Sequence, residues 1–270
     1  MTAAPTPSRV PPKPRTWPRT LAIWAVLLVI TAIAASPFVG IDLGAGFGAV
    51  AKSWQNGVNK LLEMFQLDWR ILPRTFPPLL QTIEMAIAGT AVSAIIAIPL
   101  TLWSARLTNP WTPGRGVVRL ILNVIRAIPD LLYAAILVAM VGVGALPGIL
   151  SLVMLDVAII VKLVAEAVDA GQGGAIEAGR AAGGTQFQIN RSLALPDMWP
   201  SFASQTLYVF ELNVRVSAVL GLVGAGGLGL LIDEVRTYFH YDQLAVIILE
   251  LLVVIVLLEL GSSWLRRRLV

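Results

Sequence analysis

Cysteine is absent from the 270 residues, and histidine occurs once, at His240. Disulfides and thiolate metal sites are therefore excluded, and one imidazole alone builds neither a histidine metal site nor a catalytic triad. Charge is scarce too. Asp, Glu, Lys and Arg make up 13% of the chain, against about 25% in a soluble domain, so the polar surface that would cover a water-soluble globule is missing. No Walker lysine motif occurs, which removes the commonest nucleotide cradle. What the chain has instead is hydrophobic residues, 57% of the total, gathered into long runs with a mean hydropathy of +0.79. The net charge of +4 resides at the ends of these runs rather than along a phosphate-tracking stripe, so a membrane and not a nucleic acid is the expected partner.

A hydrocarbon core about 30 Å thick takes roughly 20 apolar residues of helix. Thr20 to Phe38 and Leu79 to Trp103 each supply one span. A third and a fourth divide the stretch from Val117 to Val164, broken by an exposed turn at Gly142-x-Gly144-x-x-Pro147, because Pro removes a backbone donor and Gly weakens helix. A fifth runs from Phe202 to Val223 and a sixth from Leu244 to Leu260. The fold class expected is an all-α integral membrane protein with about six transmembrane helices.

Basic residues orient it. Arg9, Lys13, Arg15 and Arg19 precede span one; Arg106, Arg115 and Arg119 lie between spans two and three; Arg180 and Arg191 follow span four; Arg266 to Arg268 follow span six. Six crossings put these groups on one side, which the positive-inside bias makes cytoplasmic, with both termini there. Residues 1–18, rich in Pro, Thr, Ser and basic side chains, are expected to be a disordered cytoplasmic tail. Ala32-x-Ala34 and Ala35 imitate a signal cleavage site, but the preceding apolar run of about 19 residues exceeds the 7–15 of a signal core, so a retained anchor is expected.

The external segment within 19–74 places Trp54, Val58, Leu61, Leu62, Phe65 and Leu67 near helical spacing. Two readings stand: an amphipathic helix lying on the outer membrane face, with Trp54 and Trp69 in the interfacial belt, or an ordinary soluble loop.

Against this apolar background the polar stretch Glu177 to Pro196, EAGRAAGGTQFQINRSLALP, stands out. Ala178, Gly179, Ala181, Ala182 and Gly183 are small enough for close backbone approach. Glu177 suits a helix start, Gly183-Gly184 a helix end, and Gln186 to Leu193 a second short helix. Pro196 is expected to stop helix continuation and set the angle of return to the membrane. The spacing resembles E-A-A-x3-G-x9-I-x-L-P, the loop by which ABC importer permeases dock onto their ATPases, with Gly179 in place of the third small residue and Leu193 in place of Ile. The resemblance marks Glu177, Ala178, Gly179, Gly183, Leu193, Leu195 and Pro196 as ATPase-coupling residues. It implies a permease core over 75–265 of the type I importer kind, with a cytoplasmic coupling loop at about 169–200.

Further stretches resemble the phosphonate and phosphite branch of these permeases. They are Leu79-Leu80-Gln81-Thr82-x-Glu84-Met85-Ala86 with Gly89-Thr90, Arg126-Ala127-Ile128-Pro129-Asp130, and Tyr208-x-Phe210-Glu211-x-Asn213-x-Arg215, leading into Val219 to Gly229. The resemblance covers roughly residues 75 to 260 and implies a homodimer in a bacterial inner membrane. Below it would stand two ATPase subunits that bind ATP and magnesium, and above it a periplasmic or lipid-anchored substrate-binding protein. This chain itself would hold no cofactor and do no chemistry.

Ionisable residues in an apolar span usually face a bundle interior or a water-filled cavity. Glu211 and Arg215, four apart, can share a helix face as a neutralised pair. They are either a structural ion pair, or, with Asn213, part of a path in which the Arg215 guanidinium matches phosphate-like oxygens. Arg126 and Asp130 flank a kink expected at Pro129, either as an ion pair or with Arg126 near the cytoplasmic surface or across the path from a dimer mate. Gly224, Gly226 and Gly227 form either a gate of non-helical backbone or a site of close helix packing; the run lacks the strand and acidic residue of a nucleotide fingerprint. Asp156 and Lys162, six apart, have no assigned role.

Two other classes compete. A stand-alone secondary transporter would often show related halves, and residues 20–130 and 140–260 show no repeat. A membrane enzyme needs a positioned base, nucleophile or metal, and the scattered acids assemble none.

Overall fold

The computed structural model describes residues 17–34, 43–171 and 173–269. Residues 1–16 of the expected tail, Phe38 at the end of the first expected span and Ala35 of the cleavage-like stretch lie outside the described residues. Among the described residues there are helices and turns but no strand.

The chain divides after Lys60 into two units. The first contains α1, Trp17–Ala34, and most of α2, Leu43–Met64. The apolar side chains of α1 from Leu21 to Ile33 are exposed on every face, as suits a helix surrounded by lipid. Residues 43–64 are helix, not an irregular loop; Phe65 and Leu67 fall beyond its end, so the apolar spacing is carried over fewer turns than expected.

The second unit holds the core. After a single 3₁₀ turn at Trp69–Ile71, capped by Asp68 accepting the Arg70 N–H at 3.1 Å, α3 runs from Leu72–Ser104. It begins seven residues before the expected Leu79, with Pro in its first turn, where a missing donor is harmless. Next come α4, Thr112–Ala127, and α5, Asp130–Val141, bent by 84° at Ile128-Pro129. The expected kink is therefore a break between two helices. Turn residues Gly142 and Gly144, with φ of +99° and +149°, lead into α6, Ala145–Ala170. The polar segment forms α7, Gly174–Ala181, and α8, Gln186–Ile189. The remaining helices are α9, Leu195–Leu220, α10, Leu228–Thr237, and α11, Tyr241–Leu269.

Helices α3, α6 and α9 make the inner layer. Ala158, Ile160, Val161 and Val164 of α6 and Val209 of α9 are fully enclosed, with Ala97 of α3 beside them. The outer helix α11 fully buries only a short stretch around Ala245–Ile247 and one late serine; Leu244, Leu251 and Val254 pack partly against the core, and side chains such as Leu252, Val256, Leu257 and Leu260 point outward. Four helices are long and apolar enough to cross a membrane, or five if the bent α4–α5 pair counts as one span. The apolar part of α1, Thr20–Ile33, is shorter. The sixth expected crossing would have to be α1.

Candidate functional site

The polar segment builds a compact foot. Glu177 lies in the first turn of α7 with its side chain exposed, and forms no hydrogen bond or ion pair through its carboxylate among the described residues. Ala178 is exposed beside it. Helix α7 ends in a Schellman motif: the Gly184 N–H donates to the Gly179 carbonyl at 3.0 Å and the Gly183 N–H to the Arg180 carbonyl at 3.0 Å. Gly183 has φ +76°, where a side chain is strained. Gly179 turns toward the following helix, and a Cβ there would stand 2.6 Å from Leu193 Cδ1. Helix α8 opens with a capping box between Thr185 and Gln188. Ile176, Ile189 and Ala194 close a small core with Leu102, Leu107 and Leu193.

Pro196 behaves differently from expectation. The chain is helical without interruption from Gln186 to Val223, and Pro196 occupies the first turn of α9. A π turn over Asn190–Ala194 precedes it, with the Leu195 N–H bonded to the Asn190 carbonyl. The widened turn makes room for a residue without a donor, so Pro196 does not stop the helix. Leu195 packs against the main core beside Met198 and Phe202.

The foot is clamped to the α3–α4 turn. Arg180 donates to the Leu107 carbonyl at 2.7 Å; Gln186 and Asn190 donate to the Thr108 carbonyl at 2.7 and 3.1 Å. Asp169, in the last turn of α6, accepts the N–H groups of Arg106 (2.6 Å) and Leu107 (3.3 Å) on one oxygen and the Arg119 guanidinium (2.8 Å) on the other. Sequence reasoning passed over Asp169. Its signal was positional, since an acid in a last helical turn opposes the helix dipole and demands compensation from elsewhere.

The polar residues of α9 do not pair as expected. Glu211 is bound by Arg266 at 2.7 Å, while Arg215 reaches Glu259 at 3.5 Å. Partners on the neighbouring α11 win over the i,i+4 alternative because the α9 face meets that helix. Glu211 is buried and is met there by Arg266 from the basic end of α11. Asn213 is also committed: its amide donates to Asp156 Oδ2 at 2.6 Å and to Thr90 Oγ1 at 2.8 Å. The unassigned Asp156 is thus the centre of a buried α3–α6–α9 network. Arg126 and Asp130 are not paired either. The 84° bend separates them, Arg126 binds the Asn123 side chain, and Asp130 caps the Leu131 N–H at 2.9 Å.

Gly224, Gly226 and Gly227 have φ of +90°, +87° and +70° and form a non-helical loop between α9 and α10. It is packed on three sides. The Gly227 N–H donates to Gln81 and the Leu228 N–H to Thr82 Oγ1, at 3.0 and 2.8 Å, so two residues of the Leu79–Ala86 stretch cap the start of α10. The Gly144 N–H donates to the Gly224 carbonyl at 3.0 Å. The turn at 142–144 is thereby tied to this loop rather than standing free. At Gly229 a Cβ would meet the Ala218 carbonyl oxygen at 2.1 Å and Gly221 Cα at 2.6 Å, both backbone. Gly229→Ala is therefore expected to lower the thermal stability of the purified chain by roughly 1–3 kcal/mol or more, whereas Gly116→Ala, with open space around it, is expected to be neutral. Equal melting temperatures for the two variants would contradict this packing.

Among the described residues no cluster of three His, Asp or Glu side chains forms a metal site. What the arrangement offers is mechanical: a stiff polar foot joined to a helical bundle whose lipid-length helices carry interior polar contacts. Fold and site together define a multi-pass membrane permease of the type I ABC importer architecture. Residues 97–270 match the family described as binding-protein-dependent transport system inner membrane component, and the chain belongs to that family. It is 38% identical over 190 residues to the phosphite transport system permease protein PtxC of Stutzerimonas stutzeri, covering 70% of this chain and 69% of that one. It is 35% identical over 191 residues to the phosphate-import permease protein PhnE of Mycolicibacterium smegmatis, covering 70% of this chain and 36% of that longer one. Among solved structures, the inward-facing MetNI methionine ABC transporter shares the fold with a TM-score of 0.67 at 24% identity, over 76% of this chain and 100% of that one.

Proposed function

We propose that the chain is the permease subunit of an ABC importer. As a homodimer it forms the membrane path for phosphite, a phosphonate or a related phosphorus oxyanion, with a separate ATPase docked on residues 177–196. The observation that carries this reading is the foot. Glu177 and Ala178 are exposed on a helix whose other end is locked by the Gly183 turn and whose base is bonded to the α3–α4 turn. A surface that is rigid below and unpaired above suits receipt of a push from a partner. The anion class follows the names of the phosphite and phosphate-import relatives.

The half-exposed Arg215–Glu259 pair favours a homodimer. Charges on the outside of an apolar bundle belong against a second copy or a water-filled path rather than hydrocarbon. The glycine loop at 224–227, held by Gln81 and Thr82, is the reading for the gate. An importer of another small solute would use the same foot, and the substrate-binding protein would decide between them.

Reconstitution tests this. Proteoliposomes carrying the permease, its ATPase and its binding protein should accumulate labelled phosphite or methylphosphonate only with ATP inside reach of the ATPase. Accumulation by the permease alone, driven by an ion gradient, would overturn the reading in favour of a secondary transporter.

A further inference from the structure

A cavity of about 640 Å³ opens between α4, α6, α9 and α11, at the end of the bundle that bears the foot. Arg126, Lys162 and Arg266 line it, with Ser204, Gln205 and Tyr208 on the α9 wall. A smaller cavity of about 230 Å³ shares Arg126, Lys162 and Glu166 and adds Arg119. Nothing in the packing of an apolar bundle calls for this many cations around one hollow.

The charges do not cancel. Arg119 is neutralised by Asp169 and Arg266 by Glu211, each at 2.7–2.8 Å, and Lys162 sits 3.7 Å from Glu166. Arg126 has no acidic partner among the described residues. One of its terminal nitrogens binds the neutral Asn123 side chain, and Arg126 lines both cavities, so its charge is uncompensated at the cavity wall. A guanidinium there is matched by the oxygens of an oxyanion through charge-assisted bonds. Lys162, only loosely paired with Glu166 at 3.7 Å, adds a partly compensated charge, and the hydroxyl and amide groups of Ser204, Tyr208 and Gln205 add donors.

We infer that this cavity binds a tetrahedral phosphorus oxyanion, with the Arg126 guanidinium as its principal ligand and Lys162 as its second charge. Two sources share that chemistry: the anion leaving the path, and the phosphate of an anionic lipid headgroup reaching in from the inner leaflet. Naming the soluble anion rests on the importer reading above. The cavity chemistry does not.

The test uses the full chain purified in detergent. Calorimetric titration with phosphite, methylphosphonate and inorganic phosphate reads the soluble source, and native mass spectrometry with added phosphatidylglycerol reads the lipid source. Either ligand should bind, and Arg126→Gln should weaken it by roughly tenfold or more, the loss of one charge-assisted bond. Arg236→Gln, on α10 and outside the cavity, should leave binding unchanged. Lys162→Gln, at a half-exposed side chain, serves if Arg126→Gln does not fold, and should weaken binding in the same direction. Phosphite binding displaced by no lipid assigns the site to the transported anion; retained phosphatidylglycerol that phosphite does not displace assigns it to lipid. Absence of both in the wild-type chain, or equal binding by the Arg126 and Lys162 variants, overturns the site. Co-purification of the ATPase is recorded in parallel. Its persistence beside lost anion binding separates failure of this site from failure of the coupling foot.

Discussion

Glu177→Lys is expected to strip the ATPase from the purified permease and reduce uptake to background, while the permease itself stays in the membrane at its normal level and melts at its normal temperature. The separation of these effects comes from the geometry. The Glu177 side chain is exposed and makes no polar contact within the chain, so its replacement removes nothing that holds α7 together. Reversal of one charge in a docking surface adds like-charge repulsion of several kcal/mol against a partner that had accepted a carboxylate, enough to weaken docking roughly 100-fold or more. Gly183→Asp should reach the same loss of uptake by another route. At φ +76° any side chain is strained, so the Schellman turn opens and the foot loses its shape, with lowered stability as the distinguishing sign. An unaffected ATPase in the Glu177→Lys preparation would remove the foot from the coupling interface.

Much of this architecture is legible in the chain, and the limits have physical causes. Apolar runs long enough for hydrocarbon mark α3, α6, α9 and α11, because composition alone decides what lipid accepts. The break at Gly142–Gly144 and the Gly183-Gly184 helix end follow from local backbone freedom and occur where expected, although Pro147 falls in the first turn of α6 and the break is tied to the 224–227 loop. Pairings are another matter. Glu211 and Arg215 satisfy the local i,i+4 rule, yet each finds its partner on α11, 55 and 44 residues on, because the α9 face that carries them meets that helix. Pro196 reads as a helix stop, but a π turn absorbs it, and no local pattern announces a π turn. Asp169 and Asp156 were hidden for the same reason: each is defined by donors that arrive from distant segments. Gln81 and Thr82 lie in the Leu79–Ala86 stretch, but their task, capping a helix nearly 150 positions later, has no trace in their own neighbourhood.

Asn213→Leu is expected to destabilise the bundle, and Asp156→Leu added to it is expected to restore most of what was lost. The Thr90 hydroxyl donates to Ala86 at 2.7 Å, and the Ser93 hydroxyl sits 2.6 Å from the Gly89 carbonyl and 3.5 Å from Asp156 Oδ2, so the single Ser93 proton is shared between a short and a long contact. The Asp156 side chain, 3% exposed, therefore depends chiefly on the Asn213 amide at 2.6 Å as its donor. Removing that amide leaves a carboxyl group buried among α3, α6 and α9 with only the long Ser93 contact, a loss of about 1–3 kcal/mol for a buried group left under-satisfied. Interhelical hydrogen bonds in membranes are themselves worth only about 0.6–2 kcal/mol, so part of the deficit is the under-satisfied group rather than the missing bond. Replacing both residues with leucine removes donor and acceptor together and fills the seam with similar volume, and the double variant should melt close to the wild type. It should also keep its ATPase, because α6 and α9 lead directly into and out of the foot and their seam would again be packed. Additive losses in the double variant would mean that Asp156 and Asn213 are not coupled, and that the three inner helices owe their register to apolar packing alone.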